Sequence, residues 1–171
     1  MDHLLCIGTT GMLAPCTRAL IARGHRIACV ARTRASLDAL SHSISQDRRA
    51  LLSTYPCDYR DFEALEQVLL SVGFTPDAAI CWVHSPADPV LDLVRRQFPK
   101  IDLLRVVGST TNVPVGAADP AERIVRLGFV IENNRSRWLS DEEVSKGVLD
   151  AFVSGASEST VGTLEPWDAR P

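Results

Sequence analysis

Apolar runs that read as buried strands alternate with helical segments along almost the whole chain. In the first unit, HLLCIG (3–8) is a short apolar run that ends in glycine, and MLAPCTRALIARG (12–24) places apolar residues at helical spacing. Six further apolar runs follow. Strands that are joined by helices pair in parallel through right-handed crossovers and are covered on both faces. The sequence therefore predicts a three-layer α/β fold around a mostly parallel sheet.

The boundaries of these elements follow from glycines, capping residues and the ends of the apolar runs. The predicted strands cover residues 3–8, 26–31, 50–57, 77–84, 101–109, 122–131 and 159–167. The predicted helices cover residues 12–24, 35–44, 58–73, 88–98 and 140–153. The last of these helices has the strongest start signal, because Ser140 and Glu143 have the spacing of a capping box.

Composition excludes several classes of protein. The 171 residues suit one domain, and 46% hydrophobic with 23% charged residues is usual for a soluble globular protein. A net charge of −3 gives no reason to expect nucleic acid or an anionic membrane as a partner. The first apolar run is too short to span a membrane and lacks a basic leader, so we expect a cytoplasmic protein. Five scattered cysteines without a CxxC pair predict buried, reduced thiols and no metal site.

The turn between the first predicted strand and helix has the spacing G-x-x-G-x-x-A. Gly8 permits a sharp turn, and Gly11 permits a pyrophosphate to approach the backbone. The next helix is predicted to begin near Met12, so that its free N–H groups and the positive end of its dipole face the same point. Thr9 and Thr10 can add hydroxyl donors. The pattern indicates a nucleotide-phosphate site, and its alternative is a tight turn that binds nothing.

The end of the second predicted strand distinguishes between two dinucleotides. An NAD site usually holds the ribose hydroxyls with a carboxylate about 20 residues after the first glycine. No Asp or Glu occurs between residues 3 and 37, and the strand runs instead into Arg32 and Arg34. Arginine matches the 2′-phosphate of NADP(H) through charge-assisted hydrogen bonds. The sequence therefore favours NADP(H), with solvated surface charges as the alternative.

Several segments resemble the short-chain dehydrogenase/reductase superfamily, and most of all its atypical branch. GTTGML (8–13) is similar to the opening of that branch, and VARTRASLDAL (30–40) to the second strand with its arginine. YPCDYRD (55–61) resembles the segment whose Asp contacts adenine, and VVGSTTN (106–112) the strand that ends at the catalytic serine. The resemblance implies a Rossmann fold of about seven strands, in the order 3-2-1-4-5-6-7, with residues 1–171 as a single NAD(P)-binding domain.

The same resemblance implies a set of cofactor contacts at the carboxyl ends of the strands, where ligands bind in this fold. They are Gly8, Thr9, Thr10, Gly11, Met12 and Leu13 after the first strand, Arg32 and Arg34 after the second, Asp58 and Tyr59 after the third, Val83 and His84 after the fourth, and Ser109 after the fifth.

The chain departs from the family at its proton-donating Tyr-x-x-x-Lys pair. Neither Tyr55 nor Tyr59 has a lysine at that spacing. About a dozen residues between the fifth and sixth predicted strands are too few for the helix that carries the pair. Carbonyl reduction through an activated tyrosine is therefore excluded. The long helices that build the family's dimer are also shortened or lost, so a homo-oligomer would use another surface.

Two candidates for catalysis remain. An imidazole at His84 can donate a proton near neutral pH, although a loop histidine bonded to backbone is the alternative. Ser109 can orient a substrate oxygen or contact the nicotinamide ribose. The polar segment 133–138 could clamp a phosphate or an acidic substrate, or be a solvated loop.

These residues predict a minimal NADP(H)-dependent oxidoreductase that acts on a small carbonyl or imine substrate. The alternative is a non-catalytic NADP(H) sensor that regulates a protein partner. The third hypothesis is a scaffold protein that no longer binds a dinucleotide.

Overall fold

The computed structural model describes residues 2–84, 87–111, 122–133 and 135–171. Its strands are β1 (His3–Ile7), β2 (Arg26–Ala31), β3 (Leu52–Pro56), β4 (Ala78–Trp82), β5 (Asp102–Gly108), β6 (Glu122–Leu127), β7 (Phe129–Glu132), β8 (Arg135–Trp138) and β9 (Glu158–Val161). Its α-helices are α1 (Ala14–Ala22), α2 (Arg34–His42), α3 (Phe62–Ser71), α4 (Asp88–Gln97) and α5 (Asp141–Ser154). Short 3₁₀ helices cover Gln46–Leu51 and Trp167–Ala169.

Within these ranges seven strands form one parallel sheet in the order β3-β2-β1-β4-β5-β6-β9. Because β9 is the seventh strand of this sheet along the chain, the predicted order 3-2-1-4-5-6-7 is confirmed. Cys6 in β1 lies opposite Cys29 of β2 and Ile80 of β4. The strand order reverses between β1 and β4, and doubly wound sheets open a ligand crevice at such a point.

Each face of the sheet has its own apolar layer. Helices α1, α2 and α5 pack on what we call the first face, where Leu4, Ile27 and Ile80 are almost completely buried. Helices α3 and α4 pack on the second face, against side chains that include Leu5 and Val30. Strands covered on both sides carry apolar residues at every position, which explains the unbroken apolar runs in the sequence.

Side-chain caps begin three of the helices. Thr33 Oγ1 accepts the N–H of Ser36 at the start of α2, and Asp61 Oδ1 accepts the N–H of Ala64 at the start of α3. The predicted capping box of α5 is confirmed, since the side chains of Ser140 and Glu143 each accept the other residue's N–H. Helix α1 differs from these, because its N-cap residue supplies no side-chain hydrogen bond.

The predicted strand 122–131 is wrong, because it is two strands. β6 ends at Leu127, and after Gly128 the chain forms β7, which pairs antiparallel with β8. A Cβ at Gly128 would collide with the carbonyl of Thr163, so the two backbones approach each other closely here. The Gly128 N–H also donates to Val161 O at 2.9 Å. The chain therefore leaves the sheet at this glycine.

The polar segment 133–138 is the turn and second strand of this hairpin, with Asn134 outside the described residues. Asn133 adopts the left-handed conformation (φ 50°) that such a turn requires.

The last predicted strand, 159–167, takes its predicted edge position but ends at Val161, before Gly162 at φ +76°. None of the helices in the described ranges is long and apolar enough to cross a membrane.

Candidate functional site

A cavity of about 390 Å³ opens at the carboxyl ends of β1, β2, β3 and β4, beside the point where the strand order reverses. Its lining residues all follow or end one of these strands, or belong to the helix that comes next. They are Gly8, Thr10, Gly11, Met12, Ala31, Arg32, Thr33, Ser36, Asp58, Tyr59, Arg60, Trp82 and His84.

The two glycines of the turn have different surroundings. Gly8 has φ +75°, its N–H donates to Val30 O at 3.0 Å, and a Cβ there would collide with the Trp82 carbonyl oxygen. Gly11 is exposed, and a Cβ there would meet no atom within 4 Å. A glycine is thus required at position 8 because the backbone of Trp82 approaches it closely. At position 11 the protein does not require a glycine, and the open space beside it is available to a ligand.

Backbone donors are available where α1 begins. The helix starts at Ala14, two residues after the predicted start at Met12, and the Ala14 N–H donates to Gly11 O at 2.8 Å. Within the described ranges, no acceptor is bonded to the N–H groups of Thr10, Met12 or Leu13. Such free amides and the positive end of the helix dipole favour an anion.

Thr9 does not offer its hydroxyl to the cavity, and that prediction is wrong. Its side chain is 1% exposed, and Oγ1 lies 3.7 Å from Sγ of Cys29 in the core. Burial raises the pKa of Cys29 to about 11, with the Thr9 contact acting in the opposite direction, so this thiol stays protonated at neutral pH. The side chain of Leu13 is also in the core, which leaves only its backbone for a ligand. Thr10 lines the cavity as predicted.

Two hydroxyl groups that sequence reasoning missed brace this turn. Ser145 Oγ, in α5, donates to Met12 O at 2.7 Å, and Ser145 is 3% exposed. Thr17 Oγ1 donates to Leu13 O at 3.2 Å. The only available signal for Ser145 was a serine on the apolar side of an amphipathic helix, and its partner lies 133 residues away in the chain.

The arginines at the ends of β2 and β3 differ from the prediction. Arg32 lines the cavity, but Arg34 is the first residue of α2 and lies outside the lining. Arg60, which the sequence reading did not select, lines the cavity as well. Neither Arg32 nor Arg60 forms an ion pair with a carboxylate among the described residues. Two arginines that have no carboxylate partner among the described residues therefore line one cavity.

The turn after β3 is bonded to the end of β4. The Tyr59 hydroxyl accepts the backbone N–H of His84 at 3.2 Å, and Asp58 Oδ1 accepts the N–H of Arg60 at 3.1 Å. The exposed His84 ring meets Trp82 edge-on, with ring centroids 4.9 Å apart. Trp82, interpreted mainly as a core residue, is half-buried and both packs on the core and lines the cavity.

Besides Thr9, Leu13 and Arg34, two further predicted contacts lie outside the lining. Val83 packs against the apolar layer of the second face, and Ser109 follows β5 in a turn. The structure thus places His84 in the same cavity lining as Gly8 and Gly11, whereas Ser109 lies outside that lining. Among the described residues, no group of three or more His, Cys, Asp or Glu side chains is placed to hold a metal ion.

The hairpin arginine Arg137 is already paired. It donates to Glu143 at 2.7 Å and 2.9 Å and to Glu132 at 2.9 Å. Segment 133–138 contributes no described residue to the lining of the cavity at the ends of β1–β4. The structure therefore does not bring this segment to that cavity.

No protein-family description matches the chain, and no curated protein sequence does. Solved structures do match it over nearly its whole length. A short-chain dehydrogenase/reductase from Brucella melitensis has a TM-score of 0.67 at 13% identity, with 93% of each chain covered. An alcohol dehydrogenase from Thermococcus sibiricus, in complex with 5-hydroxy-NADP, has a TM-score of 0.66 at 15% identity, covering 95% of this chain and 96% of that one. Actinorhodin polyketide ketoreductase with NADPH scores 0.67 at 13% identity, covering 94% and 95%.

The chain has the fold of the short-chain dehydrogenases/reductases. Identities this low establish the fold and not the activity. The predicted α/β architecture is thereby confirmed, and the function has to be argued from the cavity.

Proposed function

We propose that the cavity at the ends of β1–β4 binds NADP(H). The observation that carries this proposal is the combination of free backbone donors at the start of α1 with two arginines, Arg32 and Arg60, that line the same cavity and have no carboxylate partner among the described residues. A ligand that matches both features carries phosphate at two separate points. The pyrophosphate of a dinucleotide would lie on the amides after Gly11, and its adenosine 2′-phosphate would lie by Arg32.

The same geometry argues against NAD(H) as the preferred ligand. β2 ends at Ala31, and the cavity lining continues with Arg32, Thr33 and Ser36, none of which is acidic. A site for an unphosphorylated ribose would present a carboxylate at this place to accept the 2′-hydroxyl. Hydroxyl and guanidinium groups are instead hydrogen-bond donors that suit a phosphate.

The reaction we propose is reduction of a small carbonyl or imine. NADPH, when bound, supplies a hydride. His84 lies at the edge of the cavity with an exposed ring and would deliver the proton that the reduced oxygen or nitrogen requires, with water as the other source. Ser109, at the end of the neighbouring strand β5, would orient the substrate oxygen or contact the nicotinamide ribose.

The second candidate function is that of a non-catalytic NADP(H) sensor that regulates a protein partner. It is favoured by the missing Tyr-x-x-x-Lys pair and by the connection between β5 and β6, where residues 109–121 leave little room for the family's catalytic helix. The two functions share the same binding cavity, so they differ in turnover and not in ligand.

Calorimetry with NADPH and NADH tests the binding proposal. We expect NADPH to bind about 10- to 100-fold more tightly than NADH, because a charge-assisted hydrogen bond contributes about 1.5–3 kcal/mol. Arg32→Ala should remove most of this preference. Equal affinities for both dinucleotides in the wild type, unchanged by Arg32→Ala, would show that no 2′-phosphate site exists here.

Absorbance at 340 nm separates the enzyme from the sensor. NADPH oxidation with a panel of carbonyls and imines should reveal turnover by the wild type, and His84→Ala should lower kcat while NADPH still binds. Tight binding without turnover of any substrate would favour the sensor instead. An equal loss of binding and turnover in His84→Ala would assign His84 to holding the cofactor.

A further inference from the structure

Arg60 has no role in the sequence-based prediction, and the backbone from which its side chain leaves is held by hydrogen bonds. Residues 58–61 form a tight turn in which the Asp61 N–H donates to Asp58 O at 2.9 Å and the Arg60 N–H donates to Asp58 Oδ1 at 3.1 Å. Asp61 then caps α3 through Ala64. The turn is thus held at both ends, and Arg60 emerges from its centre.

This turn is attached to the end of β2, from which Arg32 emerges. Ala31 and Pro56 are partners in the parallel ladder, and the N–H of Cys57 continues it by donating to Ala31 O at 2.9 Å. Arg32 and Arg60 therefore leave adjacent, hydrogen-bonded strand ends, and both side chains line the same cavity.

The neighbouring carboxylates do not neutralise Arg60. Asp58 accepts from the backbone of the turn, Asp61 accepts from the backbone of α3, and neither pairs with a guanidinium group among the described residues. An exposed arginine that lines a cavity and has no carboxylate partner among the described residues is available for an anionic ligand.

We infer that Arg60 is the second cation of the 2′-phosphate subsite and that Arg32 and Arg60 hold this phosphate from two adjacent strand ends. The inference rests on the proposed function, since it specifies how the same cavity would select a phosphorylated adenosine. Two guanidinium groups can donate to different oxygens of one phosphate, whereas a single arginine leaves at least one oxygen to water. The hydroxyls of Thr33 and Ser36 are in the same lining, but each donates its proton within the cap of α2, so the two arginines supply the free side-chain donors here.

The test uses three fragments of the ligand and measures their affinity by calorimetry at constant ionic strength, because exposed charges are screened by salt. Adenosine 2′,5′-bisphosphate contains the phosphate that Arg60 would bind, and 5′-AMP lacks it. Adenosine 3′,5′-bisphosphate has the same number of phosphates with one on the wrong carbon. The proteins are the wild type, Arg60→Gln, Arg60→Lys, Arg32→Gln and Arg96→Gln, whose exposed arginine on α4 controls for net charge.

For Arg60→Gln we expect the affinity for adenosine 2′,5′-bisphosphate to fall about 5- to 20-fold and the affinity for 5′-AMP to change less than twofold. Arg60→Lys should restore part of the loss, because it keeps the charge without the planar pair of donors. Arg96→Gln should leave every affinity within twofold. Arg32→Gln together with Arg60→Gln should cost less than the product of the two single losses, because both side chains bind one group.

The results separate this inference from the proposed function. If the wild type prefers the 2′,5′-bisphosphate and Arg60→Gln keeps that preference, Arg60 is outside the subsite while NADP(H) binding stands. An equal loss for 5′-AMP would also overturn the inference. If the wild type binds the 2′,5′-bisphosphate, the 3′,5′-bisphosphate and 5′-AMP equally, there is no 2′-phosphate subsite, and both proposals fail.

Discussion

The two halves of the sheet differ on the second face. In the half formed by β3, β2, β1 and β4, helices α3 and α4 cover an apolar layer that includes Leu5, Val30 and Cys81. In the half formed by β5, β6 and β9, the side chains on this face include Arg105, Glu122 and Arg126, and the apolar layer contains no described residue of β6 or β9. The half formed by β3, β2, β1 and β4, which we call the apolar half, is therefore covered by helices on both sides. The half formed by β5, β6 and β9, together with α5, which packs on β6 and β9, is what we call the charged half.

Those charges are paired with one another. Glu122, 9% exposed, is hydrogen-bonded to Arg95 of α4 and lies 3.5 Å from Arg105, which also pairs with Asp88 at 3.0 Å. Arg126 pairs with Glu158 of the edge strand at 2.7 Å. Buried charges are tolerated when they are paired and hydrogen-bonded. This half replaces apolar packing with ion pairs.

The comparison teaches where the function can be located. All the described residues that line the candidate site come from the apolar half, and the charged half contributes to it through the buried bond from Ser145 to Met12 O. A rigid layer that is packed on both sides can hold backbone donors in one geometry, and a phosphate site requires that.

The largest effect should come from the glycine that joins strand β1 to the site. We expect Gly8→Ala to lower the free energy of unfolding by about 4 kcal/mol, because φ is positive and the Trp82 carbonyl blocks a Cβ. Chemical denaturation measures this. Gly11→Ala is the matched control, since its Cβ meets no protein atom. It should keep the stability of the wild type within about 1 kcal/mol and yet weaken NADPH binding. A stable Gly8→Ala protein would contradict the close approach of β1 and β4.

The charged half should show the next largest effect. Glu122→Ala leaves Arg95 and Arg105 without their shared partner, and we expect it to cost about 2–3 kcal/mol in the free energy of unfolding. Asp150→Ala, which breaks the exposed pair with Lys146, is the control and should cost less than about 0.5 kcal/mol. Equal losses in the two variants would show that the Glu122 cluster behaves as a surface network.

The apolar half was the part that the sequence could predict. Runs such as LLCI and IACVA are buried on both faces, and the glycines at 8 and 24 mark the ends of strand and helix, so β1, β2 and the turn at Gly8 follow from local pattern. The pattern of this turn predicted Gly8, Thr10, Gly11 and Met12 as residues of the site, and the end of the second strand predicted Arg32. All five line the cavity.

The charged half could not be predicted in the same way. The segment 122–131 mixes charged and apolar residues as far as Leu127 and is uncharged after it, and nothing local shows that Gly128 lies against the backbone of Thr163. The roles of Arg60 and Ser145 also depend on tertiary contacts. Thr9 and Arg34 were assigned to the site because their residue types suit phosphate, but the direction in which each side chain points is set by the core and by the start of α2.

The bond between the two halves should have a smaller effect on stability and a measurable effect on binding. Ser145→Ala removes the donor to Met12 O, and we expect a loss of about 1 kcal/mol in the free energy of unfolding together with a threefold to tenfold weaker affinity for NADPH. Ser154→Ala removes a hydroxyl bond that stays within α5 and is the control. If Ser145→Ala lowers stability without changing affinity, the turn does not depend on the charged half for its geometry.

The smallest effect should come from the hairpin that is attached to α5. The guanidinium group of Arg137, together with the backbone of Ser140, lowers the pKa of Glu143 to about 2 from an ordinary value of 4.5. A carboxylate whose folded-state pKa is lowered stabilises the fold above its unfolded pKa, and this contribution is lost as the pH falls through the folded pKa. Arg137→Gln should therefore have a slightly lower denaturation midpoint than the wild type at pH 7, and the difference should shrink below about pH 4.5 and close near pH 2.

Arg135 on the same strand allows this pH dependence to be assigned to one ion pair. It is exposed and has no carboxylate partner in the described ranges, so Arg135→Gln should give a small midpoint difference that does not vary between pH 2 and pH 7. A difference for Arg137→Gln that persisted at pH 2 would come from lost packing and not from the charge on Glu143. Because the hairpin lies outside the described cavity lining, Arg135→Gln and Arg137→Gln should have the same NADPH affinity at pH 7. Equal affinities would show that the charged half affects the site through Ser145 and not through β7 and β8.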